Sequence, residues 1–78
     1  KNLPVLEYKI KSNGSYYSLM YRWDAISDFE MRIQVNNGNN NIWITPNDSW
    51  KELSLELIDI KDFSIRKDLF FIETKKIK

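Results

Sequence analysis

The chain has 78 residues, 42% hydrophobic and 14% aromatic, with 12 Lys and Arg against 11 Asp and Glu for a formal net charge of +1. A chain this short makes one domain and buries only roughly 60–65% of the surface its unfolded form exposes, so large rings must supply much of the core. The near-balanced charge lacks the basic excess of a nucleic-acid binder, and the absence of cysteine and histidine excludes disulfides, thiolate or imidazole zinc sites, Ser-His-Asp triads and Cys-His pairs.

No apolar run nears the roughly 20 residues of a membrane-spanning helix, and no charged-then-apolar signal segment opens the chain. The first residue is Lys1 rather than methionine, which reads as a piece of a longer protein.

Leu3 to Lys11 alternates Leu6, Tyr8 and Ile10 against Glu7, Lys9 and Lys11, the period of a strand with one buried face. Pro4 stands at its start, where a missing N–H is tolerated on an edge strand. Ser12-Asn13-Gly14-Ser15 supplies the left-handed conformations of a tight reversal, so this strand is expected to fold back onto Tyr16 to Trp23 as a hairpin. In that second strand Tyr17, Leu19, Tyr21 and Trp23 share the inward parity.

Asp24 to Asp28 reads as a corner between sheets, leading to a third strand from Phe29 to Val35 with Phe29, Met31, Ile33 and Val35 inward. Asn37-Gly38 between two apolar runs predicts a second hairpin, returning through Ile42 to Thr45. Ser49 to Ile60 fits two patterns. Ser49 with Glu52 matches a capping box, and Trp50, Leu53, Leu57 and Ile60 keep near-helical spacing. Leu53, Leu55 and Leu57 also alternate, and strand is preferred because the neighbouring elements need a partner sheet. Asp62 to Ile65 reads as a brief extended piece and Arg66-Lys67-Asp68 as a polar turn. Leu69 to Thr74 reads as a final strand, apolar on both faces at its start and so placed centrally or against another domain. Lys75 to Lys78 is expected to be a solvated end.

Chemistry is scarce. The nearest acid pairs, Asp24 with Asp28 and Asp59 with Asp62, sit in connections and read as turn formers, and no D-x-D-x-D-G spacing offers a calcium loop. The aromatics are the better candidates for a site. Tyr8, Tyr21, Trp23, Phe29, Met31 and Ile33 are expected in the core. Tyr16, Trp43 and Trp50 are candidates for exposure, as an interface or a platform on which sugar rings stack. Asn13-Gly14-Ser15 and Asn47-Asp48-Ser49 match the N-glycosylation pattern, which chance explains in a chain rich in Asn and Ser.

Taken in order, Leu3-Pro4-Val5-Leu6-Glu7-Tyr8, Tyr21-Arg22-Trp23, Asp28 to Val35, Ile42-Trp43-Ile44-Thr45-Pro46 and Ser49-Trp50-Lys51-Glu52-Leu53 resemble the β-sandwich domain of aminopeptidase-N-like zinc metallopeptidases. The closest likeness is to bacterial members in which that domain ends the chain. Arg32 stands where the family often has proline, and Asn47-Asp48-Ser49 replaces the commoner Thr-Thr-Glu. The family's zinc motif, two histidines and a glutamate on a helix, has no counterpart here.

The resemblance implies an accessory domain packed beside a separate catalytic domain of the same polypeptide. That domain would hold the zinc and remove N-terminal residues from peptides, in a periplasmic or secreted setting. No catalytic, cofactor or metal residue carries over to this chain. A carbohydrate-binding module using Tyr16, Trp43 and Trp50 is the alternative, and a purely structural sandwich the third. The expected fold is an all-β, antiparallel, immunoglobulin-like sandwich of about six or seven short strands.

Overall fold

The computed structural model describes residues 3–24, 31–55 and 59–77. It is an all-β sandwich with seven strands among these residues: β1 (Val5–Ser12), β2 (Tyr17–Trp23), β3 (Ile33–Asn36), β4 (Asn41–Ile44), β5 (Lys51–Leu55), β6 (Ser64–Ile65) and β7 (Glu73–Lys76). Two 3-10 turns, Ile60–Asp62 and Lys67–Leu69, flank β6, and no α-helix occurs among the described residues. One sheet has the order β5-β2-β1-β7 and the other β4-β3-β6.

The β1–β2 hairpin follows the alternation. Leu6 pairs with Trp23, Tyr8 with Tyr21 and Ile10 with Leu19, so apolar side chains of both strands reach the same face. At its tip the Asn13 N–H donates to the Tyr16 carbonyl at 2.7 Å, and Gly14 adopts φ +82°. A Cβ at Gly14 would meet nothing within 4 Å, so Gly14→Ala should cost only the left-handed penalty, roughly 1 kcal/mol. Gly14→Asn should cost less, as chemical denaturation of the two variants will show.

Asn36 to Asn41 forms the second hairpin tip, with Gly38 at φ +106°. Side chains close it: Asn36 Oδ1 accepts from the Gly38 N–H at 2.8 Å, and Asn37 Oδ1 accepts from the Asn39 and Asn40 N–H groups. The low-complexity Asn run is thus turn chemistry.

The two readings of Ser49 to Ile60 separate cleanly over the described part. Lys51–Leu55 is a strand, antiparallel to β2 with Leu53 opposite Leu19 and Leu55 opposite Tyr17. The capping box is unused, since the Ser49 N–H donates to Asn47 Oδ1 in a local turn. An open edge of β2 rewards extended backbone with a full ladder, which overrides helical spacing. Leu57 lies outside the described residues.

Four expectations need correction. The third strand begins at Ile33, and Met31 and Arg32 precede it without ladder pairing. The final strand begins at Glu73 rather than Leu69 and lies at a sheet edge, so of the two places expected for the apolar run, central or against another domain, the central one is not taken. Lys75 and Lys76 belong to this strand, paired with Glu7 and Tyr8, rather than to a solvated tail. Pairing with β1 decides that boundary, and the apolar run ahead of it is bent by the turn at Lys67–Leu69. The β1–β7 pairing is also parallel, the one departure from antiparallel geometry among the described residues. The expected corner at 25–28 and the inward position of Phe29 fall outside the described residues.

One core joins the two sheets. Leu6, Leu19, Tyr21, Trp23 and Leu55 of the larger sheet meet Ile33, Val35 and Ile44 of the smaller, with Ile72 alongside. Tyr8 and Met31 are half-buried against this cluster, and Tyr8 also meets the Phe63 ring at 6.2 Å. Burial pushes the Tyr21 phenol above its ordinary value of 10.0. Because the folded value is the raised one, this contribution to stability is complete below pH 10.0 and is lost as pH rises through the folded value. Alkaline titration should therefore show stability falling as the phenolate band of Tyr21 appears. Phenolate absorbance that develops with stability unchanged would contradict this.

Candidate interaction surfaces

The outward face of the larger sheet carries a charged ladder crossing three strands. Glu7 on β1 and Arg22 on β2 are direct register partners, and Arg22 Nε donates to Glu7 Oε1 at 2.8 Å. Trp50, just before β5, lies over Arg22 with 4.7 Å from guanidinium carbon to ring centroid, and Lys9 Nζ is 5.7 Å from the same ring. Arg22 is therefore held between a carboxylate and an indole face. Both contacts follow from parity: residues opposite in parity to Leu6, Tyr21 and Trp23 face outward, so their partners meet across the hairpin. Glu7 is only 7% exposed because these neighbours cover it.

The outward face of the smaller sheet carries a second aromatic group. Trp43 alternates with the inward Ile42 and Ile44 and is 50% exposed. Its ring is met by Arg32 at 4.3 Å and edge-on by Phe70 at 6.1 Å. The segment after the second 3-10 turn splits its apolar residues: Phe70 packs against the core and Ile72 is buried in it, while Leu69 and Phe71 are 51% and 89% exposed. Arg66 anchors this segment to β3, its N–H donating to the Gln34 carbonyl and its guanidinium reaching Gln34 Oε1 and both Asp68 oxygens. Hydrogen bonding from Arg66 holds the Asp68 carboxyl below its ordinary range. That contribution is present at neutral pH and is lost as pH falls through the lowered value.

Of the three candidate platform residues, Tyr16 lies in the first hairpin tip, Trp43 on the smaller sheet and Trp50 on the outward face of the larger. All three are exposed. The structure does not bring them together, and a stacking surface spanning all three would have to pass through the sandwich. Arg22 and Arg32 were not among the candidate site residues, and Leu69 and Phe71 were expected only as part of an apolar final strand. Parity in the hairpin register, and alternation within Leu69 to Ile72, are the signals that mark them.

A cleft of about 460 Å³ opens where β7 ends beside β1, lined by Lys9, Ile10, Lys11, Lys76 and Ile77. It offers ammonium groups on an aliphatic wall and no carboxylate, hydroxyl or imidazole. Among the described residues no three acidic, histidine or cysteine side chains gather as metal ligands, and no helix is long and apolar enough to cross a membrane. A donor set without imidazole or thiolate does not fit a zinc centre of the family's kind. No family model matches the chain, and neither the curated proteins nor the solved structures contain a match to it.

Proposed function

We propose that this sandwich is a non-catalytic accessory module that packs against another folded body. The order of motifs further proposes the catalytic domain of an aminopeptidase-N-like zinc enzyme as that body. The observation that carries the packing role is the exposure of Phe71 and Leu69, 89% and 51%, in the segment whose Phe70 rests on Trp43. Sequence reading left two places for an apolar run with two apolar faces: the centre of a sheet or a contact with another domain. The run lies ahead of β7 and outside both sheets, which removes the first. Large exposed apolar side chains beside aromatic and arginine residues have the composition of interface cores. The missing histidine and cysteine assign zinc chemistry, if the parent has it, to other parts of the polypeptide.

Two measurements test this reading. The coding sequence flanking these residues should contain an H-E-x-x-H segment; a complete reading frame without one removes the aminopeptidase assignment while leaving the packing role open. Phe71→Asp should leave the stability of this domain within about 0.5 kcal/mol, since the side chain touches little of it. In the intact parent the same change should weaken docking by about 2 kcal/mol or more, as loss of an interface anchor does. Limited proteolysis of the parent at the junction reads that loss. Unchanged protection would refute Phe71 as an anchor.

A further inference from the structure

The chain has two Asn-Gly pairs, Asn13-Gly14 and Asn37-Gly38, each at a hairpin tip with its glycine at positive φ. Asn-Gly is the dipeptide most prone to intramolecular ring closure, because glycine puts no side chain in the way of its own nitrogen. In that reaction the glycine backbone nitrogen loses its proton and attacks the asparagine side-chain carbonyl carbon. A new N–C bond closes a five-membered succinimide, the carboxamide C–N bond breaks, and its nitrogen leaves with a proton as ammonia. Water then opens the ring at one carbonyl or the other, giving aspartate or isoaspartate. Water is the only co-reactant.

The reaction needs a glycine N–H that can give up its proton, a side chain free to swing onto it, and access to solvent. At the second pair the fold denies all three. The Gly38 N–H is held by Asn36 Oδ1 at 2.8 Å, Asn37 Oδ1 accepts from the Asn39 and Asn40 N–H groups at 3.2 and 2.9 Å, and Asn37 is 8% exposed. At the first pair the glycine N–H and the access to solvent are both free, and the side chain is held at one atom only. Asn13 is exposed, the Gly14 N–H has no hydrogen-bond partner among the described residues, and the space beside Gly14 is open. The Asn13 carboxamide is held by its nitrogen alone, Nδ2 donating to Ser18 Oγ at 2.8 Å. Its carbonyl carbon stays open to attack, and the Ser18 hydroxyl rests against the nitrogen that must leave.

We propose that Asn13-Gly14 is a spontaneous modification site that converts through a succinimide to aspartate and isoaspartate, while the fold keeps Asn37-Gly38 intact. Aspartate at position 13 adds a twelfth acid to the 11 present and balances the 12 basic residues. Isoaspartate also inserts a carbon into the main chain inside the turn that the Asn13 N–H and Tyr16 carbonyl close.

Incubating the whole chain in mildly alkaline buffer at body temperature, then mapping peptides by mass, tests the proposal without any variant. The one-unit gain in mass should accumulate in the Asn13 peptide roughly five- to thirtyfold faster than in the Asn37 peptide, the ratio that one or two hydrogen bonds of about 1 kcal/mol impose. In concentrated urea the two rates should converge, because the sequences at the two sites then react without the fold. Equal rates in the folded chain, faster loss of Asn37, or a difference that persists in urea would each overturn it.

Discussion

Trp23→Ala should unfold this domain. The side chain is 1% exposed, faces Leu6 across the hairpin and lies among residues of both sheets. Truncating a buried tryptophan costs about 3–5 kcal/mol in lost transfer energy and residual cavity. A domain of 78 residues has a total stability of roughly 4–12 kcal/mol at the usual density per residue. The loss takes a large part of what is available, and most of it if this short chain lies near the lower bound. The backbone N–H at this position donates to the Asn47 carbonyl at 2.7 Å and fastens β2 to the loop before β5; alanine keeps that bond, so the loss is the side chain's. Trp23→Phe keeps a ring in the site and should remain folded with a lowered urea midpoint. Circular dichroism with urea titration of both variants decides the matter. A cooperative, near-native transition in Trp23→Ala would show that the core is organised around other residues.

The second large effect is expected at the Glu7–Arg22 pair. Glu7 is nearly buried and Arg22 is its hydrogen-bonded partner at 2.8 Å. Arg22→Met keeps the aliphatic stem over Trp50 but leaves a covered carboxylate without its donor, a cost of roughly 1–3 kcal/mol. The side chain of Arg22 is 37% exposed, so water recovers part of that loss and the lower half of the range is expected. Glu7→Leu in the same chain should return most of the stability, because two apolar groups replace a pair rather than orphan one member. The double-mutant cycle is the proper measurement. Strict additivity of the two single changes would mean that the pair contributes nothing beyond its separate parts.

Both effects bear on what could be read ahead of the structure. The Leu6, Tyr8, Ile10 and Leu19, Tyr21, Trp23 parities were legible because the two strands pair locally across a turn that Asn13 and Gly14 dictate. The second hairpin was legible for the same reason, and strand parity marked Tyr16 and Trp43 for exposure. The burial of Glu7 and Ser18 was not. Both stand on the outward parity, where polarity predicts exposure, yet Arg22 and Trp50 cover the first and Asn13 is bonded to the second. Such burial depends on which long side chains meet above the sheet, and alternation carries no record of that.

The last strand was misplaced for a different reason. Leu69 to Thr74 has the composition of a strand, but strand identity at the end of the chain is settled by β1, whose partners begin at Glu73. Leu69 and Phe71 were read as strand residues and are instead the exposed half of a bent segment. The platform reading of the aromatics rested on parity within single strands, which carries nothing about how the strands are arranged. Only the order of strands within each sheet separates Trp43 from Trp50.

The parallel pairing of β1 with β7 also has a mechanical consequence. Val5 is opposite Glu73 and Tyr8 opposite Lys76, with the Glu73 N–H on the Pro4 carbonyl and the Ile77 N–H on the Tyr8 carbonyl. The chain enters this pair at the Pro4 end and leaves it at the Ile77 end. Tension along the polypeptide therefore slides the two strands lengthwise past each other, loading the whole ladder at once instead of peeling it bond by bond. Resistance to such pulling is set by the rate of unfolding, not by equilibrium stability. Equilibrium stability alone therefore understates how strongly this ladder resists lengthwise pulling.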